Sequence, residues 1–277
     1  MIRLQRVRTK RAIPTVFRGV KRLEKALTLL VEADVRRAFD SEYWKKAKKQ
    51  LKSESSGKCA YCEAPTTVVA HGDVEHFRPK SVYWWLAYCY DNYLFSCQIC
   101  NQMFKGDNFP LAAEILRLMA PVLPPGATED HKREFVRRFA PDPLDAADGQ
   151  PWAEFEAVCK AESSHLLNPY ADDPQEHFVW EADSTLQEVA VRPKNDAAQP
   201  FYMAAVDFYG LNRPELLAER WKMFQKLDIF RKVFASPDID DTLRDEIRNM
   251  LQQMTQDDAP FAGMCRYFVR QVWQLLL

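Results

Sequence analysis

The sequence predicts an α+β protein that is mostly α-helical, and three observations carry that prediction. Residues 20–38, VKRLEKALTLLVEADVRRA, put Leu23, Leu27, Leu30, Val31 and Val35 on one helical face. From about Pro200 to the end the apolar residues again follow a helical period. Phe201, Ala204, Ala205 and Phe208 share one face there, and Leu216, Leu217, Trp221, Phe224 and Leu227 continue the pattern. Between these stretches two CxxC pairs, Cys59/Cys62 and Cys97/Cys100, bracket a segment with room for a small β element.

Taken in order, Ser41 can cap a second helix, EYWKKAKKQL, with lysines on its outer side. Ser53 to Gly57 ends it and delivers the chain to the first CxxC. Pro79 and Pro110 punctuate the cysteine-rich unit. LAAEILRLMA, 111–120, reads as helix, and the turn-rich APVLPPGATED stops it. FAPDPLDAADGQPW is loop-like. FVWEADSTLQEVAV, 178–191, reads as a hairpin turning near Asp183-Ser184. Pro214 opens a helix at a tolerated first-turn position. Three regions follow: a basic N-terminal helical arm over 1–52, a cysteine-stapled module over 53–110, and a mainly helical region over 111–277 that carries the hairpin.

The 277 residues are 47% hydrophobic and 28% charged, the balance of a folded globular protein. No run of about 18 apolar residues is present, and the basic start lacks the apolar core of a secretory signal, so a cytoplasmic protein is expected. The net charge of −1 hides an asymmetry. Residues 1–52 hold 16 Lys/Arg against 5 Asp/Glu, a balance of +11 that leaves −12 for the rest. A basic arm beside an acidic body suits an anionic partner such as nucleic acid, or else docks on the protein's own acidic surface.

Without a signal peptide, two tight CxxC pairs favour thiolates on a metal over disulfides. Cys89, Cys159 and Cys265 read as packed thiols. Zn²⁺ takes four soft tetrahedral ligands, and the two pairs supply that number once the 34 residues between Cys62 and Cys97 fold back. A redox CxxC needs no second copy, and no thioredoxin-like βαβ pattern flanks either pair. With all four ligands protein-borne the site is closed, so the zinc would be structural. Inside the loop, DVEHFRP alternates apolar and polar residues through Glu75 and His76 to Pro79. Asn92 precedes apolar Leu94 and Phe95. CQICNQMFK reads as a knuckle entering a short helix, with Asn101 and Lys105 one turn apart.

An acid–His doublet followed by x-x-Pro, a central Asn and CxxC-N-x3-K resembles the HNH endonucleases, built on the ββα-metal fold. KCAYCE, VEHFRPK, YWWLAY, NYLFSCQICN, the upstream YWKKAKKQL and the downstream HLLNPYADDPQEHF are similar to PtuB-type HNH nucleases of Septu and retron-linked anti-phage systems. The resemblance is densest over 40–110. It implies His76 as general base and Glu75 as ligand to a catalytic Mg²⁺ or similar cation. It further implies that Asn92 braces the base-bearing loop and that Asn101 stands where a second metal-binding histidine often stands. That asparagine departs from the strict pattern, being neutral and poorly suited to softer metals. Arg78 is a candidate phosphate clamp, and Lys105 can reach phosphate or cap its helix. Asp73 is close enough to compete with Glu75 or to support it.

The resemblance also implies a metal-dependent endonuclease acting on nucleic acid, DNA favoured. Its partners would be a PtuA-type ATPase subunit and, in retron-linked systems, a reverse transcriptase with its RNA/DNA. No glycine-rich phosphate loop is present, so any ATP would bind to another chain. The alternative is a zinc-stapled binding module with an inactive HNH centre. His165, Asp172, Asp173 and His177 offer a second metal site, but Asn168-Pro169 and Asp173-Pro174 fit turns better. The aromatic run Tyr83, Trp84, Trp85, Tyr88, Tyr90 either packs the module or stacks bases. His71 lies outside the pattern.

Overall fold

The computed structural model describes residues 1–31, 38–66, 72–144 and 150–277. Val35 and His71 therefore lie outside the described residues. Helix α1 (Gly19–Val31) buries Leu23, Ala26 and Leu29, while Val31 of the expected face is exposed. Two short helices follow, α2 (Ser41–Lys45) and α3 (Lys48–Glu54). Asp40, not Ser41, occupies the position before α2, and its side chain makes no cap.

Strands β1 (Asp73–His76) and β2 (Tyr93–Ser96) pair antiparallel, with Glu75 opposite Leu94 and His76 opposite Tyr93. A wide-turned helix, Ile99–Lys105, begins three residues after β2, and an i→i+5 bond from Gly106 N to Asn101 O (2.7 Å) marks its wider winding. The order strand, strand, helix is thus established, alongside a second sheet. That sheet pairs β3 (Phe178–Asp183) with β4 (Glu188–Pro193), and the Asp183 carboxylate accepts from Thr185 N and Leu186 N at the turn. Helices α4 (Glu129–Phe139), α5 (Gln150–Ala161), α6 (Gln199–Tyr209), α7 (Pro214–Phe234), α8 (Asp241–Met254) and α9 (Ala262–Arg266) complete a mostly helical α+β chain. No helix among the described residues is long and apolar enough to cross a membrane.

The expected helix over 111–120 does not form. Leu111 bridges Ser164, Leu118 N donates to the buried Glu162 carboxylate, and Arg117 reaches the Tyr83 hydroxyl. Leu116 and Met119 stay 89% and 85% exposed, so no core rewards a helical face there. The segment serves instead as a cover strapped across Glu162.

The hairpin β1–β2 lies between two apolar clusters, which is what positions the site. Because strand residues alternate faces, Tyr93 and Phe95 join a small cluster with Phe17, Leu29, Tyr43, Trp44 and Tyr88, while Leu94 joins the large one with Tyr61, Phe77 and Tyr209. The aromatic run is absorbed into this packing: Tyr83, Trp85, Tyr88 and Tyr90 are all buried. Entry into β1 requires Gly72, which sits at φ +58°, where a Cβ would overlap the Phe95 ring. Gly72→Ala should therefore cost at least about 1 kcal/mol in strain alone, visible as a lower urea midpoint. An unchanged midpoint would show that the strand entry can shift.

Candidate functional site

The cysteines gather first. The knuckle Lys58–Pro65 folds back on itself through Cys59 N to Ala64 O (3.0 Å) and Glu63 N to Cys59 O (3.0 Å), and Ala60 N ties it to Phe95 O of β2 (2.9 Å). Cys97 follows β2 directly and Cys100 lies in the helix beyond. All four sulfur atoms lie within 4.8 Å of one another. A tetrahedral Zn²⁺ with Zn–S near 2.3 Å needs sulfurs about 3.8 Å apart, so the donor set fits a zinc ion. Three of the four cysteines are buried.

The charge around them fits as well. Arg213 Nη1 donates to Cys100 Sγ (3.4 Å) and Nη2 lies 3.9 Å from Cys62 Sγ. Despite its burial, these thiolates hold the Arg213 guanidinium above its ordinary pKa. Arg220 is 2% exposed and its own pKa is lowered to about 10, chiefly by burial, against the pull of Cys62, Glu63 and Cys100. Among the described residues no second group of three or more His, Cys, Asp or Glu gathers in this way. The HLLNPY stretch makes turns, with Asp172 accepting from Asn168 N and Asp173 from Gln175 N, while His165 and His177 both pack on Phe201.

His76 is held on the other side of the hairpin. Trp44 meets it edge-on at 4.8 Å and Tyr93 at 5.1 Å. Its Nε2 lies 3.0 Å from Ala87 O, which also accepts from the Tyr93 hydroxyl (2.7 Å). A carbonyl only accepts, so Nε2 carries the proton and the neutral ring keeps its free lone pair on Nδ1. Burial above all, then the cations Lys80 and Lys105, depress the His76 pKa to about 3.

Ala87 belongs to the 77–92 connection, which Asn92 braces. Asn92 Oδ1 accepts from Arg78 N (2.8 Å), and Nδ2 donates to Arg78 O (3.0 Å) and Leu86 O (3.4 Å).

Glu75 faces the opposite side, toward Lys105, whose Nζ lies 2.6 Å from Oε1 without hydrogen-bond alignment and also donates to His76 O (3.0 Å). Burial raises the Glu75 pKa against the pull of Lys105. Lys105 is wholly buried, so the structure corrects the expectation of a phosphate contact or a simple helix cap: its ammonium is an internal counter-ion. Arg78 is corrected likewise. It is 5% exposed, with Nε on Glu162 Oε2 (2.8 Å) and Nη2 on Cys159 O (2.8 Å). Asp73 accepts from Gln102 Nε2 (2.8 Å) and so ties β1 to the helix.

Glu75, His76 and Asn101 share one small open cavity of about 190 Å³, walled also by Trp44, Lys80, Gln102 and Asp107. Sequence reasoning missed Trp44, Lys80 and Asp107. Only the position of Lys80 directly after Pro79 hinted at its place; Trp44 arrives from a distant helix.

The chain is similar to the Septu protein PtuB of Bacillus mycoides (strain KBAB4), with 27% identity over 224 residues, which is 76% of this chain and 62% of that protein. The likeness to PtuB-type proteins thus extends over most of the sequence, and the chain spans about three fifths of the length of the curated relative it matches. No family model matches, and no solved structure matches.

Two measurements test this site. Elemental analysis should find about one zinc per chain, and Arg213→Met should speed zinc loss to a chromogenic chelator at least about tenfold, because charge-assisted bonds to thiolate are lost. The second concerns His76. Its folded pKa lies below the unfolded 6.5, so the unfolded chain binds the extra proton between these values and stability falls as pH drops through that window. Urea denaturation without added divalent cation should show a loss approaching about 1.4 kcal/mol per pH unit between pH 6 and 4. His76→Gln should lack this component, so that its stability falls less steeply than the wild type's over the same window.

Proposed function

We propose that the chain is a metal-dependent HNH endonuclease that hydrolyses phosphodiester bonds, with DNA as the favoured substrate, and acts as the effector of an anti-phage defence complex. One observation carries the reading. His76 is locked as the neutral Nε2–H tautomer, which leaves Nδ1 as a base, and it lines the same cavity as Glu75 and Asn101. The strand–strand–helix order around it supports a ββα-metal centre, and the four cysteines would hold a structural zinc beneath it.

In this reading His76 Nδ1 takes the proton from a water that attacks the phosphorus in line. The ring is unprotonated at neutral pH, the anionic phosphate of a bound substrate would raise its proton affinity toward the working range, and the contacts with Trp44 and Tyr93 fix its orientation. Asn92 keeps Ala87 O where it selects the tautomer. The oxygen donors of Glu75 and Asn101, with Asp107 and Gln102 nearby, suit a hard cation such as Mg²⁺. Held by Glu75 and Asn101, that cation would offset charge at the scissile phosphate. Exposed Lys46 and Lys49 lie on or beside the helices that deliver Trp44, and would attract a nucleic-acid backbone.

The PtuB-like relative supports a PtuA-type ATPase partner, and retron-linked systems would add a reverse transcriptase with its RNA/DNA. A second reading rests on one contact. Lys105 already pairs Glu75, which favours a zinc-stapled binding module whose centre is inert.

Plasmid cleavage with Mg²⁺, by the chain alone and with its ATPase partner, separates the two. His76→Ala should lose at least about 100-fold in rate, the range of general-base catalysis. Equal inactivity of wild type and variant under both conditions would favour the inert module.

A further inference from the structure

The cavity at His76 needs a cation for an anionic substrate, and neither residue expected to supply one is free. Arg78 and Lys105 are buried in ion pairs with Glu162 and Glu75. Among the residues lining the cavity, Lys80 alone is cationic. It is half-buried, and among the described residues its ammonium has neither an ion-pair nor a hydrogen-bond partner; it lies 5.7 Å from the centroid of the Trp44 ring.

The backbone beneath it is firm. Pro79 precedes it, and Pro79 O accepts from Val82 N (3.0 Å) and Tyr83 N (2.8 Å), so Lys80 projects from a pinned turn. Trp44 touches both Lys80 and His76, which places the cation beside the base with the indole as a shared wall.

We propose that Lys80 is the substrate-binding cation of this cavity, its ammonium holding a non-bridging oxygen of the phosphate that His76 addresses. The proposal rests on the nuclease reading and deepens it. A lysine suits the role as a compact, mobile point charge with a strong preference for phosphate oxygen.

Binding of a labelled 30-base-pair DNA duplex, followed by anisotropy over a salt series, tests this in the uncleaving His76→Ala background. Adding Lys80→Ala should weaken binding at least threefold and lower the slope of log K against log salt by about 0.9, the signature of one lost phosphate contact. Lys80→Arg should retain both. In the otherwise native chain Lys80→Ala should slow cleavage at least about tenfold with an unchanged melting temperature. Equal affinities and slopes, no duplex binding at all, or slower cleavage with an unaltered slope would each overturn the assignment. The outcomes remain separable: a cleaving His76→Ala sinks the nuclease reading, whereas a dead His76→Ala beside an unaffected Lys80→Ala sinks only this proposal.

Discussion

Four sulfur atoms gathered within 4.8 Å are the constraint on which the rest depends. A zinc ion bound by four thiolates carries a net charge of −2, and a buried charge of that size needs compensation. Arg213 and Arg220 supply two positive charges from the far end of the sequence. The same frame recruits the 257–263 segment: Lys58 Nζ donates to Asp257 O (2.5 Å) and Ala259 O (2.7 Å), and Glu63 accepts from Gly263 N (3.0 Å). Tyr61 stacks on Tyr209 at 3.9 Å. The cysteine unit and the C-terminal helices therefore share one core.

Strand alternation divides the labour at the doublet. Glu75 faces the large cluster and meets Lys105, while His76 faces the small one and meets Trp44 and Tyr93. Two adjacent ionisable groups thus sit in different surroundings, one with an internal counter-ion and one kept neutral chiefly by burial, with Lys80 and Lys105 adding to it. The wide-turned 99–105 helix brings Asn101 to the cavity and Lys105 beneath it. Such windings recur at functional sites.

The basic arm shows how charge composition can mislead. Arg6 pairs Glu54, Arg8 pairs Asp91 and Lys25 pairs Asp40, so part of the +11 neutralises the protein's own carboxylates. Arg6 also stacks on Tyr170 at 3.6 Å. Arg3, Lys10, Arg11, Lys21, Lys46 and Lys49 remain exposed for a partner. The 111–120 segment makes the parallel point about helical pattern. Its apolar spacing is helical, yet the backbone and side-chain groups of Arg117 and Leu118 are taken by Tyr83 and the buried Glu162, and no surface is left for the face to bury.

By itself the sequence determined the class of the fold, the cysteine cluster, the hairpin read at 178–191 and the Glu75-His76 doublet. These depend on local spacing: CxxC knuckles, period-two and helical alternation, and a proline after the doublet. Only the tertiary structure decided which charges are spent and which are free. Arg78 and Lys105 look like exposed cations in sequence, and their partners Glu162 and Glu75 come to them only through long-range packing and strand pairing. Among the described residues lining the cavity, Lys80 is the cation left without an ion-pair partner, because the buried charges of Arg78 and Lys105 had to be paired and the half-buried Lys80 did not.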